Sequence, residues 1–296
     1  MPSLLSTVSC LYKPSQLTLF LENHAIRLTK ALGQNYFIDR HCLAHILEQH
    51  GLPTEGSIIE IGPGIGNLTW LLIDRGLTVH AVEKDGTVLP ILDELSCEAG
   101  VQERLHLIHS DALDTDIATL ARESGAHHVI GNLPYNVAVP ILFHVAYCGA
   151  PFQSIGVMLQ KEVGDRIMAH PEDKAYGRLS IVLKYLYTIT KIKTIPPACY
   201  FPRPKVESVF IKMVPNPDVD LDFCQNYLER VVRIGFLHRR KKLRAQFKGS
   251  IVERRILGNH LDEIETQFDL DQRGEAWPVE EWIRFARFVQ AMPQDG

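Results

Sequence analysis

The sequence predicts an α/β protein in which a doubly wound, mostly parallel β-sheet is followed by a small all-α domain. From about Ser57 onward, short β-rich runs alternate with helical stretches, and several of these runs are apolar at consecutive positions. Consecutive apolar residues are typical of strands that helices cover on both faces. Five runs are therefore predicted to be strands: Ser57–Ile61, Thr78–Val82, Leu105–Ile108, His127–Ile130 and Ile155–Leu159.

Later segments define the end of the sheet and a second domain. Two stretches, Tyr185–Ile195 and Val206–Val214, are predicted to form an antiparallel pair at the sheet edge. Pro215–Asp218 marks a linker, because proline disfavours a helix before it and cannot continue a strand ladder. Beyond it the apolar spacing is helical, with an amphipathic helix near Glu280–Val289. We expect one domain over residues 26–215 and a helical domain over residues 216–296, after an extension of residues 1–25.

The composition is that of an ordinary globular protein. The 296 residues are 46% hydrophobic and 22% charged, the net charge is -4, and no run approaches the roughly 18 apolar residues that span a bilayer. The six cysteines are scattered without a C-x-x-C spacing, so neither a zinc site nor a redox pair is predicted. These features favour a cytoplasmic protein with no metal site and no membrane-spanning segment.

A glycine-rich segment follows the first predicted strand. Gly62-Pro63-Gly64-Ile65-Gly66 lets the backbone approach a ligand but lacks the last step of the dinucleotide fingerprint. Glu83 ends the next strand about 20 residues on, where a carboxylate in such folds accepts from ribose hydroxyls. Asp111 follows the third strand and could accept from an adenine amino group. Taken singly, the glycine segment could be a tight turn, and Glu83 and Asp111 could be ordinary helix-capping or turn residues. Together they predict a nucleoside cofactor with an amino-acid tail, and a methyl donor more than NAD.

The segment Gly131–Asn136 follows the fourth predicted strand at the same sheet edge. Its groups suit an exocyclic amine, because the Asn132 carboxamide oxygen and the Leu133 carbonyl can both accept from N6–H of adenine. They would stabilise the positive charge that develops during methyl transfer, so no strong general base is required. Pro134 stiffens the loop, and Tyr135 offers a flat face to an extruded base. Alone, the segment would also fit an Asn-Pro turn before a buried tyrosine.

These motifs occur in an order found in a known family. Between Lys30 and about Phe247, further matching segments are Ala31–Phe37, Ser110–Leu113, Gln160–Val163, Tyr176–Ser180, Pro202–Ser208 and Arg239–Lys241. On this agreement the chain resembles the KsgA/RsmA family, the small-subunit (16S) ribosomal RNA adenine N6,N6-dimethyltransferases. The resemblance implies a Rossmann-like class I methyltransferase domain with S-adenosylmethionine as cofactor. It also implies two adjacent adenosines in a hairpin loop near the RNA 3′ end as targets, each receiving two methyl groups.

The resemblance assigns roles to individual residues. The expected cofactor contacts are Asn35, Phe37, Gly62, Glu83, Asp111 and Asn132, together with Gly64 of the glycine loop. The family holds its target base between the tyrosine at Tyr135 and an aromatic residue, usually Phe, ahead of the P-x-P-K-V segment. That residue aligns with Tyr200, and Phe201 lies beside it, so the sequence leaves open which ring stacks. A core aromatic residue is the alternative at this position.

Basic residues are concentrated in one segment despite the negative net charge. From Arg230 to Arg255 the only acid is Glu253. A basic helix through His238–Arg244 is predicted to contact RNA phosphates, because Lys and Arg release counterions when they neutralise phosphates. The residues expected to do so are Arg239, Arg240, Lys241, Lys242 and Arg244. A merely solvated face is the alternative for such a charge run.

Other functions remain open at this point. The nearest is a large-subunit ribosomal RNA methyltransferase of the macrolide-resistance type, although Leu133 and the Gly33–Asn35 segment favour the small-subunit group. A mainly non-catalytic RNA-binding or assembly factor belongs to a different class, and the intact Asn132 and Glu83 favour retained catalysis. A nicotinamide oxidoreductase is a distant third.

Residues 1–25 have no counterpart in the short N-termini typical of the family. A start-site artefact, a disordered extension or a weak organelle-targeting segment would each explain them, and the last is disfavoured because the segment lacks arginine.

We expect a cytoplasmic monomer with a role in small-subunit biogenesis, which meets its RNA within a pre-ribosomal particle.

Overall fold

The computed structural model describes residues 4–26, 35–248 and 261–292. The chain divides into two compact units, one formed by residues 1–164 and 189–214 and the other by residues 165–188 and 215–296. From the sequence we expected a single boundary near residue 215. The structure places a division there and also assigns the segment 165–188 to the second unit.

A seven-stranded sheet forms the centre of the first unit, and a two-stranded sheet accompanies it. The strands are β1 (Tyr36–Phe37), β2 (Ser57–Ile61), β3 (Thr78–Glu83), β4 (Leu105–His109), β5 (Ala126–Asn132), β6 (Ser154–Gln160), β7 (Tyr187–Ile195), β8 (Tyr200–Phe201) and β9 (Ser208–Pro215). The large sheet has the order β4-β3-β2-β5-β6-β9-β7, in which β4, β3, β2, β5 and β6 are parallel and β9 is antiparallel to β6. The small sheet pairs β1 with β8 antiparallel.

The α-helices lie between the strands and along the C-terminal part of the chain. They are α1 (Leu4–Thr7), α2 (Pro14–Asn23), α3 (Arg40–His50), α4 (Thr69–Asp74), α5 (Leu89–Ala99), α6 (Ile117–Ser124), α7 (Ala138–Tyr147), α8 (Lys161–Met168), α9 (Arg178–Leu186), α10 (Leu221–Phe223), α11 (Glu229–Gly235), α12 (Leu243–Lys248), α13 (Leu261–Gln267) and α14 (Val279–Ala291). A short 3₁₀ turn, Ser9–Tyr12, separates α1 from α2.

The predicted α/β class and the mostly parallel sheet are confirmed. Each of the five predicted parallel strands is present, and the two later stretches form β7 and β9 beside each other at one edge. Helix α9 was not predicted. It takes Tyr185 into its last turn, so that β7 begins only at Tyr187. Among its six buried residues, Leu179, Val182, Leu183 and Leu186 follow a helical spacing, while Ser180 and Ile181 are buried as well.

The topology places one edge of the sheet where a ligand can bind. From β2 the chain continues to β3 and β4 on one side and then returns to β5 on the other side of β2. The crevice at such a reversal, outside the carboxyl ends of the strands, is where open α/β sheets bind ligands. At this point a Cβ on Gly131 would lie 2.6 Å from the Ile61 carbonyl oxygen. The absence of a side chain therefore lets β5 approach the end of β2.

The N-terminal extension is folded over residues 4–23, and a disordered extension was one of the three explanations that the sequence left open. Residues 4–23 form α1, the 3₁₀ turn and α2, and Val8, Leu11 and Leu17 have no exposed surface. These side chains belong to the same core as the strands and helices of the first unit. Burial of apolar side chains stabilises the segment enough to order it. The sequence did not indicate that this segment folds, because its apolar residues are irregularly spaced. The surface on which they pack is formed by residues distant in the chain.

The second unit is helical and has an aromatic core of its own. Within it, Trp277, Trp282 and Phe285 are almost fully buried, and Trp277 contacts the other two edge to face, with ring centroids 5.1 and 5.4 Å apart. The buried Tyr176 hydroxyl donates to the Trp277 carbonyl oxygen at 2.9 Å. The all-α C-terminal domain predicted from sequence is thus confirmed, with α9 as an additional member.

The basic segment predicted as one helix is a turn between two helices, and this prediction was wrong. Helix α11 ends at Gly235, residues 236–240 form turns, and α12 begins at Leu243. The buried Gln246 side chain explains the break, because it donates to the Gly235 carbonyl oxygen and accepts from the His238 N–H. These bonds satisfy backbone groups that a continuous helix would have paired internally.

Two further properties concern the described part of the chain. In residues 4–26, 35–248 and 261–292, no helix is long and apolar enough to cross a bilayer. All six cysteines lie in these ranges, and each is a free thiol.

One buried carboxyl group couples the stability of the fold to pH. Glu60 lies in β2 with 1% of its surface exposed, and the Thr69 hydroxyl at the start of α4 donates to it at 2.7 Å. Burial raises the pKa of Glu60 to about 8. The folded state therefore holds this proton more tightly than the unfolded state. Its stabilising contribution is complete below the ordinary carboxyl pKa and is lost as the pH rises to about 8.

We predict that Glu60→Gln weakens the pH dependence of the free energy of unfolding. The amide can still accept from Thr69 but does not ionise, so the variant should lose less stability than the parent between about pH 5 and about pH 8. The difference should amount to a few kcal/mol, since each pH unit separating folded and unfolded pKa values corresponds to about 1.4 kcal/mol. Urea titrations across this range measure it, and equal slopes for the two proteins would show that Glu60 is not protonated in the folded state.

Candidate active site

A cavity opens at the carboxyl ends of β2, β3 and β5, and the predicted cofactor residues meet there. Its wall includes all seven of them: Asn35, Phe37, Gly62, Gly64, Glu83, Asp111 and Asn132. The segment Leu133–Tyr135 lines the same cavity. The remaining part of the first motif, residues 30–34, lies outside the described residues. The cavity belongs to the first unit alone.

The glycine loop brings backbone groups to the cavity wall. Gly62 and Gly64 have φ values of 70° and 57°, which favour glycine. A Cβ on Gly64 would also lie 3.0 Å from the Tyr36 ring. Strand β1, paired with β8, holds that ring in place across the loop. Any larger residue at Gly64 would therefore displace Tyr36 or the loop.

Glu83 joins the glycine loop to the end of β3. Its two carboxylate oxygens accept from the Gly64 N–H at 3.0 Å and from the Asp85 N–H at 2.8 Å. Burial raises the pKa of Glu83, while these backbone donors act in the opposite direction. Each carboxylate oxygen has a second lone pair. The side chain can therefore accept from ligand hydroxyls while it fixes the loop.

Asp111 lies further along the same edge and forms an ion pair. Its carboxylate accepts from the Lys84 ammonium at 2.6 Å and from the Leu113 N–H at 3.0 Å. The hydrogen bond from Lys84 holds the pKa of Asp111 below its ordinary value. An ionised Asp111 is an acceptor only, as a partner for an adenine amino group must be. Lys84 also lines the cavity.

The Asn132–Tyr135 segment lies beside the glycine loop, since a Cβ on Gly62 would be 3.9 Å from the Asn132 carbonyl oxygen. The Asn132 amide nitrogen donates to the Asn35 carbonyl oxygen at 3.0 Å, which leaves the carboxamide oxygen as the group that can accept. The buried Leu133 is fixed by its N–H, which donates to the Met158 carbonyl oxygen at 3.2 Å. These bonds orient two acceptors at the end of β5.

Tyr135 and Tyr200 differ in their access to the cavity. Tyr135 is half-buried in the wall, and its hydroxyl is 2.8 Å from the hydroxyl of the buried Ser208. Tyr200 is only 1% exposed and packs behind the wall, with its ring centroid 4.8 Å from that of Phe37. In this arrangement Tyr200 packs on Phe37 and is not among the residues that line the cavity. Phe201 is half-buried and pairs with Tyr36 across the small sheet.

Several residues of the site were missed from sequence. Tyr36 is buried, and among the described residues its hydroxyl has no hydrogen-bond partner. Glu60, Asn67, Lys84 and Met158 also line the cavity. Glu60 and Asn67 carried a signal, since Glu60 is the one charged residue of β2 and Asn67 directly follows the glycine-rich segment.

The donor set fits S-adenosylmethionine. A glycine cradle, two acidic side chains at successive strand ends and an unsatisfied Tyr36 hydroxyl offer partners for a ribose, an adenine and a polar amino-acid tail. The apolar parts of the wall, including Phe37 and Ile141, suit the rest of a nucleoside.

In the second unit, ion pairs occupy several of the predicted RNA-binding residues. Arg239 pairs with Glu275 at 3.0 Å, Arg244 with Glu265 at 3.0 Å, and Lys242 lies 3.6 Å from Asp271. Arg240 and Lys241 are exposed and have no acidic partner within residues 4–26, 35–248 and 261–292. These two side chains are therefore the most available cations of the turn.

Comparisons with known proteins agree with this site. The family model described as "Ribosomal RNA adenine dimethylase" matches residues 25–290. A protein named "Ribosomal RNA small subunit methyltransferase A" from Clostridium botulinum (strain Loch Maree / Type A3) is 34% identical over 264 residues, covering 88% of this chain and 94% of the relative. The protein of the same name from Francisella tularensis subsp. novicida (strain U112) is 34% identical over 261 residues, covering 88% and 97%.

Among solved structures, the fold is similar to that of a dimethyladenosine transferase from Plasmodium falciparum. The TM-score is 0.69 at 22% sequence identity, and the match covers 83% of this chain and 94% of that one. At this identity the likeness shows the fold alone. The family model and the two relatives cover most of the sequence, and the chain therefore belongs to the ribosomal RNA adenine dimethylase family.

Proposed function

We propose that this protein transfers methyl groups from S-adenosylmethionine to N6 of two adjacent adenosines in the 3′-terminal hairpin loop of small-subunit ribosomal RNA, dimethylating each. One observation carries the proposal. The groups suited to a nucleoside cofactor and the acceptors suited to an adenine amine line a single cavity. The family membership and the relatives' names support the class of substrate and the reaction.

The cofactor would be held by the glycine loop and the acidic side chains. Gly62 and Gly64 let the backbone approach it, Glu83 would accept from the ribose hydroxyls, and Asp111 from the adenine amino group. Asn35 and Phe37 would cover it from β1 and the residue before it. When bound, S-adenosylmethionine supplies an electrophilic methyl group on a sulfonium.

Asn132 and Leu133 would direct the target amine. The Asn132 carboxamide oxygen and the Leu133 carbonyl accept from the two N6–H groups and stabilise the charge that develops on nitrogen. The N6 nitrogen then loses a proton to water, so no strong base is needed. Pro134 shapes the turn, since its carbonyl oxygen accepts from the Val137 N–H at 3.1 Å.

Tyr135 would stack on the extruded adenine, because its ring lines the cavity and its hydroxyl is held by Ser208. Tyr200 would act through Phe37, which it contacts from behind the wall.

The basic turn of the second unit would contact RNA phosphates, mainly through Arg240 and Lys241. Arg239, Lys242 and Arg244 would leave their present acidic partners to bind RNA. We place the enzyme as a monomer in the cytoplasm, acting on a pre-ribosomal particle during small-subunit biogenesis.

Mass spectrometry tests the substrate assignment. Ribosomal RNA of both subunits, isolated from cells that lack this enzyme, is treated with the protein and the cofactor. Two methyl groups on each of two adjacent adenosines near the small-subunit 3′ end are expected. Methylation of the large-subunit RNA instead would contradict the proposal.

Asn132→Ala should lower methyl incorporation about 100-fold, the usual effect of removing one group that stabilises charge in the transition state. Incorporation from tritiated S-adenosylmethionine measures the change. Asn226→Ala removes a surface carboxamide of the second unit, which donates to Asp222, and serves as the matched control with unchanged incorporation. Equal incorporation by Asn132→Ala and the parent would refute the role assigned to Asn132.

The double variant Arg240→Gln/Lys241→Gln should weaken RNA binding. The slope of log affinity against log salt concentration should become less steep by the amount that about two phosphate contacts contribute. Affinity for S-adenosylhomocysteine should not change. Arg104→Gln/Arg122→Gln, which removes two exposed charges from the first unit, controls for net charge. If both double variants alter the slope equally, the turn has no special part in binding.

A further inference from the structure

Two hydrogen bonds join the N-terminal segment to Asn67, a residue of the cavity wall. The Tyr12 hydroxyl donates to the Asn67 backbone carbonyl oxygen at 2.7 Å, and the Asn67 side-chain amide donates to the Leu11 carbonyl oxygen at 3.0 Å. The two bonds run in opposite directions between segments more than 50 residues apart in sequence. Such a reciprocal pair fixes both the position and the rotation of Asn67.

Asn67 is where the glycine loop ends. It follows Gly66 directly, lines the cavity and is 4% exposed. The first helical hydrogen bonds run from the Trp70 N–H to the Gly66 carbonyl and from the Leu71 N–H to the Leu68 carbonyl. The Tyr12 hydroxyl thus satisfies a buried carbonyl at the helix start, and its loss would leave that acceptor unpaired.

The segment is anchored independently of these hydrogen bonds. Helix α1 packs against α4 and α5, and Val8, Leu11 and Leu17 are fully buried in the core of the first unit. Tyr12 is therefore held firmly enough to act as a fixed donor. The family model begins at residue 25, so the contact comes from a part of the chain that the family match does not include.

We propose that Tyr12 is a positioning residue for the cofactor, which acts by holding Asn67 and with it the Gly62–Gly66 loop. This inference rests on the proposed function for the identity of the ligand. The Tyr12 bond at Asn67 thus adds to the bonds that hold the loop, among them those from the Gly64 N–H to Glu83 and from the Gly62 N–H to the Val82 carbonyl oxygen. A loop fixed before the ligand arrives loses less conformational freedom on binding, so the affinity is higher.

Tyr12→Phe tests the proposal, because it removes only the hydroxyl and keeps the packed ring. We expect the dissociation constant for S-adenosylhomocysteine, measured by calorimetry, to rise about fivefold, the effect of one hydrogen bond of ordinary strength. The KM for S-adenosylmethionine should rise by a similar factor while kcat stays unchanged. The Trp70 and Leu71 amides of the ligand-free protein should exchange with deuterium faster than in the parent.

Tyr176→Phe is the matched control. It deletes a buried tyrosine hydroxyl that donates to a backbone carbonyl at 2.9 Å, but in the second unit. It should reduce stability to a similar extent and leave the dissociation constant and the Trp70 exchange rate unchanged. An equal rise in the dissociation constant in both variants would assign the effect to general destabilisation and overturn the proposal.

Failure of the proposed function can be distinguished from failure of this inference. If the parent protein bound no S-adenosylhomocysteine, the proposed function would fail, and the exchange rates would still decide the inference. Faster amide exchange at Trp70 in Tyr12→Phe, but not in Tyr176→Phe, would support the positioning role. A dissociation constant within twofold of the parent, or unchanged exchange, would overturn it.

Discussion

The hydrogen bond from the Gly64 N–H to the Glu83 carboxylate is the interaction on which the site depends. It ties the turn after β2 to the end of β3, at the edge where the order of the parallel strands reverses. A turn at that edge could occupy many conformations, and this bond, with the Tyr36 ring packed on Gly64, selects one that exposes backbone to a ligand. The cavity is therefore a consequence of strand order and a few local bonds.

The other wall of the cavity depends on the neighbouring strand in the same way. Asn132 ends β5 and donates to the carbonyl oxygen of Asn35, so this residue, directly before β1, is held against the motif that would direct the target amine. Strand β1 in turn pairs with β8, which carries Tyr200 behind Phe37. Residues from distant parts of the chain thus stiffen one small loop, as in-line transfer of a methyl group requires.

Features of local pattern could be predicted from the sequence. The parallel strands, the glycine loop and the acidic residues at successive strand ends follow from periodicity and spacing, and the structure gathers Gly62, Glu83 and Asp111 around one cavity. Other features depend on contacts that are remote in sequence. Tyr200 is buried because β8 pairs with β1, and the basic segment is a turn because Gln246 bonds to Gly235 and His238. The order of the N-terminal segment likewise depends on a surface far along the chain.

A crystal structure of the protein with S-adenosylhomocysteine would show directly whether the cofactor occupies this cavity. We predict that the ribose hydroxyls lie within hydrogen-bond distance of the Glu83 carboxylate, that the adenine amino group faces Asp111, and that the sulfur points toward Asn132. Binding at any other place, or in this cavity with the adenine and the amino-acid tail exchanged, would contradict this prediction.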